Sequence, residues 1–289
     1  MDEHALPGPP VSIGLPIYNA EPFLEEALRS LLGQSFRDFE LIISDNASTD
    51  GTAAICERHA QSDPRIRYVR QSENLGAIGN FRYVLEQARG RWFMWAAGDD
   101  FWGAQWLERL YSRVTDGQCR AAVGQVVHVD EASRPIDHVA TGRLFDYQGR
   151  RWARRLRFFA EFEGTGKANV FYALFDRRLL VRLPLETYAH DYHLIFGFLG
   201  LGGVAGVPGV FLHKRIHGEA ASVRAIRQRS TLHKVMLRAV LPVDADFLKG
   251  YFREAGLSER CLLMAALPWK YLQAYPYMAR RLWSSLRLR

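Results

Sequence analysis

Residues 11–52 read VSIGLPIYNAEPFLEEALRSLLGQSFRDFELIISDNASTDGT. Two short apolar runs, 11–15 and 39–44, have strand character. Between them Leu24, Leu28, Leu31 and Leu32 fall on one face of a helix over 23–32. Strand, helix and strand in that order pair the two strands in parallel. The pattern continues outward: 66–69 and 92–96 are further strand-like runs, while 52–60 and 78–88 are helical, the latter through Phe81, Val84, Leu85 and Ala88. This alternation predicts an α/β fold with a mostly parallel, Rossmann-like central sheet and helices on both faces. Ligands of such sheets bind beyond the carboxyl ends of the strands. That rule singles out PIYNAE (16–21), DNASTDG (45–51), QSENLG (71–76) and GDD (98–100).

The last of these closes RWFMWAAGDDFW (91–102), an apolar run that ends in two adjacent carboxylates. Paired like charges beside a buried strand repel and resist desolvation, so they need a cation, a hydrogen-bond network or open water. Mg²⁺ or Mn²⁺ on Asp99 and Asp100 would neutralise them and leave coordination positions for a diphosphate. The structural alternative is a cap, with Asp100 opening a helix over 104–110. After the second strand, Ser, Thr and Asp side chains suit a helix N-terminus, which accounts for Thr49 or Asp50. Capping does not account for Asp45, still at the strand end, where a carboxylate and the Asn46 amide suit a nucleoside base or ribose.

Taken together, residues 11–52, ENLGAIGNF (73–81) and GDD resemble the family 2 glycosyltransferases, nucleotide-sugar enzymes of the GT-A fold. The resemblance is strong from residue 11 to about 110 and patchier to about 218. It implies an inverting transfer of a sugar from a nucleoside diphosphate to a hydroxyl of a glycan or lipid-linked acceptor, with Mn²⁺ or Mg²⁺ as cofactor. It also implies donor binding by Pro16, Tyr18, Asn19, Glu21, Asp45, Asn46, Asn74, Gly76, Asn80 and Asp99, with Asp100 as the principal metal ligand. Gly98 stands where the family often writes the first carboxylate of an Asp-any-Asp motif. In the second half, YAHDYHLIFGFLG (188–200) makes Asp191 the expected general base, with His190 where Glu is usual; the alternative for Asp191 is a helix cap. HKRIHG (213–218) matches a segment that closes over the donor, and among His213, Lys214, Arg215 and His217 the favoured groups are Arg215 for the diphosphate and His217 for the metal.

The bulk properties agree with such an enzyme. The chain has 289 residues, 48% hydrophobic and 24% charged, as in soluble globular proteins. Three scattered cysteines suggest neither a disulfide framework nor a metal motif, and a reducing compartment suits them. The start, MDEHALPGPP, lacks the basic and apolar regions of a secretory signal, so a cytoplasmic location is expected, peripheral to the inner face of the membrane. The uncharged run 194–212 reaches spanning length, yet six glycines and Pro208 predict a short buried helix, a turn and a strand. Net charge is +7, and it concentrates in RRWARRLR (150–157) and in 269–289, which lies in a tail without acidic residues after Glu259. Both mix arginine with aromatics, and Trp152, Leu156 and Phe159 share a helical face, a composition suited to an anionic membrane surface.

Further strands are expected over 119–129 and 168–175, a loop or hairpin over 130–149, a helix from about Asp191, a strand and loop over 207–218, and helix from about 222. This divides the chain into a catalytic domain, 1–221, with a nucleotide-sugar half (11–129) and an acceptor half (130–221), and a helical extension, 222–289. A sugar-phosphate nucleotidyltransferase would carry a glycine-rich basic loop after the first strand, where this chain has PIYNAEPF. No groove-reading or single-strand-binding motif points to nucleic acid. The remaining alternative is an inactive relative that binds a membrane surface through its basic segments.

Overall fold

Strands β1 (Val11–Ile17), β2 (Phe39–Asp45), β3 (Ile66–Arg70) and β4 (Trp92–Trp95) lie parallel in the order β3-β2-β1-β4. Every residue of β2 and β4 is buried, which is why β4 and the Leu41–Ile43 centre of β2 are continuously apolar instead of alternating. Helices α1 (Glu21–Leu32), α2 (Thr52–Ser62) and α3 (Gly76–Glu86) make the crossovers, and α1 buries Leu24, Ala27, Leu28 and Leu31 against the sheet. Gly14 permits the closest approach: a Cβ there would meet Phe93 Cζ and Val84 Cγ2 at 2.7 Å each. The computed structural model describes residues 8–185, 190–218 and 245–286.

The second half completes an eight-stranded sheet, β3-β2-β1-β4-β7-β6-β8-β5. Its members are β5 (Phe101–Trp102), β6 (Ala121–Val129), β7 (Leu174–Asp176) and β8 (Val204–Arg215). Because β7 runs antiparallel to both β4 and β6, and β8 is parallel to β6, strands β6 and β8 point the same way as β1 to β4. One edge of the sheet therefore gathers the carboxyl ends of strands from both halves of the chain. Around it pack α4 (Trp106–Thr115), α5 (Arg151–Ala160), α6 (Arg177–Leu180), α7 (His190–Leu201), α8 (Ala245–Glu254) and α9 (Leu257–Leu286).

Two expectations are corrected. Residues 168–175 are not one strand: Lys167–Tyr172 forms a 3-10 turn, and the strand begins only at Leu174. The cause is Lys167, whose ammonium is fully buried and donates to the carbonyls of Phe158 and Glu161, which folds the segment back on α5. Asp100 does not open a helix, because β5 follows it directly and α4 starts at Trp106. The uncharged run 194–212 divides into α7, a turn and β8, as its glycines predict. No described helix is long and apolar enough to cross a membrane. The expected helical tail appears as α8 and α9; residues 219–244 and 287–289 of that tail lie outside the described residues.

Candidate active site

The loops beyond β1, β2 and β3 are tied together by their own short polar side chains. Asn19, at φ 51°, accepts the Thr49 N–H through Oδ1 at 2.9 Å, while its own N–H donates to Ser48 Oγ at 2.9 Å. Glu21 accepts the Gly51 N–H at 2.8 Å, and Asp50 accepts the N–H groups of Glu21 and Thr52, so Asp50 serves two helix starts at once. Asn46 donates to Asn74 Oδ1 at 2.8 Å and accepts the Leu75 N–H at 2.8 Å; the N–H of Gly76, at φ 72°, donates to Asn74 Oδ1 at the same distance. Asn80 donates to Ser44 O and Ile17 O. Asp45 is fully buried, accepting from Ser48 N and Tyr68 Oη with Arg70 Nε 3.7 Å away. Of the predicted donor-binding residues, Asn19, Glu21, Asp45, Asn46, Asn74, Gly76 and Asn80 thus meet in one lattice at the strand ends. Pro16 pairs with Ser44 in the sheet, and Tyr18 stands 40% exposed at the rim.

Asp99 and Asp100 lie beside this lattice. A Cβ at Gly98 would come within 3.0 Å of Ile17 Cγ2 and 3.1 Å of Ala20 Cβ, so this position presses on the end of β1 and offers no carboxylate. Asp99 Oδ2 is 2.9 Å from His217 Nε2, and that hydrogen bond raises the imidazole pKa. Asp100 is buried; its Oδ1 accepts the Arg215 N–H at 2.9 Å, but its Oδ2 has no hydrogen-bond partner. Burial and the neighbouring charge of Asp99 push Asp100 up to about 7, against the opposing pull of Lys214. A buried carboxylate oxygen without a donor is the group a cation satisfies. Among the described residues no three His, Cys, Asp or Glu side chains stand close enough to hold a metal ion unaided. Asp100 and His217 fit an ion that takes its remaining ligands from a diphosphate and water, as Mg²⁺ does.

Arg215 differs from expectation. Its guanidinium is buried and donates to the carbonyls of Asp99, Asp130 and Glu131, to Ser133 Oγ and to the Glu26 carboxylate, over the ring of Phe23 at 4.5 Å. With all three nitrogens engaged, it holds the segments flanking Asp99 and Asp100 together. The neighbouring Lys214 makes only a 3.4 Å hydrogen bond, to Asn169 Oδ1, and its charge acts on Asp100. Asp191 sits in the first turn of α7 and accepts the N–H of Tyr192. Tyr172 relates it to the aspartate pair: burial first, then the charges of Asp100, Asp99 and Asp191, raise the pKa of its hydroxyl far above the ordinary phenol value. The phenol of Tyr172 thus feels the charge of all three carboxylates, Asp100 most strongly. Tyr172 and Asn169 carried no sequence signal, since both lie in the stretch that reads as a strand.

The description Glycosyl transferase family 2 matches residues 12–183. The chain belongs to this family. Teichuronic acid biosynthesis glycosyltransferase TuaG of Bacillus subtilis, itself described as putative, is 37% identical over 129 residues, 45% of this chain and 51% of that protein. The chain thus spans about half the length of that curated relative. A glycosyltransferase of Haemophilus influenzae is 24% identical over 243 residues, 78% of this chain and 72% of its own. Among solved structures, S. aureus TarS 1-349 in complex with UDP aligns at a TM-score of 0.56 and 19% identity over 92% of this chain and 81% of that one. Mannosyltransferase PcManGT of Pyrobaculum calidifontis, in complex with GDP-Man and Mn²⁺, aligns at 0.53 and 20% identity over 94% and 86%. These likenesses establish the GT-A fold.

Proposed function

We propose that this family 2 chain is a metal-dependent, inverting glycosyltransferase that moves a sugar from a nucleoside diphosphate to a hydroxyl of a glycan or polyprenyl-diphosphate-linked acceptor. The observation that carries the reading is the buried Asp100 at the carboxyl end of β4, with Asp99 bound to His217 beside it and the polar lattice of the first three strand ends next to the pair. The lattice of Asn19, Asp45, Asn46 and Asn74 is the nucleoside end. Asp100 and His217 would hold Mn²⁺ or Mg²⁺, which when bound would offset the charge of the departing diphosphate. Asp191 takes the acceptor hydroxyl proton as that oxygen attacks the anomeric carbon from the face opposite the diphosphate, which inverts the centre. Lys214, in place of the engaged Arg215, adds positive charge beside Asp100 and favours the polyanionic donor.

Support for a nucleotide-sugar donor comes from neighbours solved with UDP, UDP-GlcNAc and GDP-Man. Support for a lipid-linked acceptor comes from GalNAc(5)-diNAcBac-PP-undecaprenol beta-1,3-glucosyltransferase of Campylobacter jejuni, 32% identical over 110 residues, 38% of this chain and 36% of that protein. Such an acceptor places the reaction in bacterial surface polysaccharide synthesis, at the inner face of the cytoplasmic membrane. The test is calorimetric titration with UDP, GDP and dTDP, with and without Mn²⁺. One nucleotide binding only with Mn²⁺, and not to Asp100→Asn, is the expected result; absence of binding under every condition identifies an inactive relative.

A further inference from the structure

Helix α9 is apolar on both of its sides, for Leu263, Ala266 and Leu267 pack against the core while further large apolar side chains face solvent. Its inner face sets Leu263 and Lys270 against the enzyme, both buried, and the Lys270 ammonium donates to Phe159 O at 2.6 Å and to Glu163 at 2.7 Å. Its outer face presents Leu257, Leu262, Met264, Trp269, Leu272 and Tyr275 to solvent, with Trp269 60% and Leu272 62% exposed. At ~100° per residue these six fall on one continuous side of the helix, along about 28 Å of its length. A stripe of this size on a soluble domain marks an interaction surface. Beside it, Arg151 of α5 pairs with Glu259 at the start of α9, and the adjacent Trp152 is 47% exposed. Glu259 is the last acidic residue of the chain and is already neutralised by Arg151 and Arg155.

We infer that this face, the outer side of α9 with Trp152 of α5, is a docking surface for an anionic lipid bilayer. Charge selects that occupant. Arg260 lies on α9 itself, Arg151 of α5 reaches its start, Arg150 and Arg157 are also exposed on α5, and no acidic side chain follows Glu259 to oppose them. A second copy docked through a two-fold axis would set these arginines against their own duplicates, whereas anionic headgroups neutralise them. Two tryptophans and a tyrosine suit the boundary between headgroups and acyl chains. Since no described helix can cross a membrane, α9 lies in the plane of the surface with its apolar side inward. The buried face keeps α9 on the enzyme while the other face enters the lipid.

The test is sedimentation of the full chain with vesicles of phosphatidylcholine alone or mixed with phosphatidylglycerol, without donor or acceptor, so its failure leaves the transfer reading untouched and the reverse also holds. The chain is expected to bind the mixed vesicles, with a blue shift of tryptophan emission, and to bind neutral vesicles about 10-fold less tightly. Trp269→Ser with Leu272→Ser is expected to weaken binding to mixed vesicles by about 10-fold or more while leaving the thermal unfolding midpoint unchanged, because both side chains are exposed. Three results overturn the inference: no binding of the unaltered chain, equal binding by the double variant, or a concentration-dependent dimer that the double variant abolishes.

Discussion

Asp100 shows how a residue can be destabilising alone and useful with a partner. A carboxyl whose folded pKa is raised loses stability as pH climbs from the unfolded value of about 4 towards the folded one. With Asp100 at about 7, the cost is complete above neutrality, where a bound cation removes it. Cation binding must displace that proton and the one on His217, so apparent Mn²⁺ affinity is expected to fall by more than about tenfold per pH unit below 7. Calorimetry in buffers of different ionisation enthalpy will show more than one proton released at pH 6 and fewer at pH 8. Asp191→Asn is expected to lower kcat by about 10²- to 10⁴-fold and leave donor binding unchanged, as removal of a general base does; an unchanged kcat would reassign Asp191 to its helix. Gly98→Asp, which restores the family's usual pattern, should cost about 1–3 kcal/mol in chemical denaturation through contact with Ile17 and Ala20, without tighter metal binding.

Among elements, the junction of α5, α8 and α9 is held by a buried polar cluster. Glu163 accepts from Tyr251 Oη at 3.0 Å and from Lys270, and it lies 3.2 Å from the Lys167 ammonium; Tyr192, next to Asp191, donates to its carbonyl at 3.1 Å. One carboxylate balances one ammonium, so with two buried lysines the second proton is held weakly. Burial lowers both lysines, Lys167 to about 7. Between that value and about 10.4 the unfolded chain binds more protons than the folded one, so this lysine makes stability rise with pH. The rise should disappear in Lys167→Met when urea unfolding is compared at pH 7 and 9. Glu163→Gln leaves two buried cations without their counter-charge and is expected to cost about 3–5 kcal/mol. The chain of contacts from Lys270 through Glu163 to Tyr192 also means that α9 supports the turn carrying Asp191.

At the scale of the molecule, the sheet does the assembling, because strands from both halves end on one edge. If that edge is the donor site, ligand joins the halves: Mn²⁺ with the preferred nucleotide at 100 times its dissociation constant should stabilise the chain by about 2.7 kcal/mol in thermal unfolding, and Asp100→Asn should show no such gain. The first four strands and three helices were legible because each is set by a local period, the apolar runs at 11–15 and 39–44 or the leucines of α1. The same locality placed Asn19, Asp45, Asn46 and Asp100 at strand ends before any contact was known. What sequence by itself determined was therefore the order of elements, the edge where chemistry collects and the family. Tertiary structure alone decided that Arg215 is buried in a hydrogen-bond network while Lys214 makes one long bond, that Lys167 turns an apparent strand into a 3-10 turn, and that α9 faces Trp269 outward. Those facts depend on partners distant in sequence, on the carbonyls a buried ammonium finds, or on which side of a helix is covered, and none of these is written in the spacing of neighbouring residues.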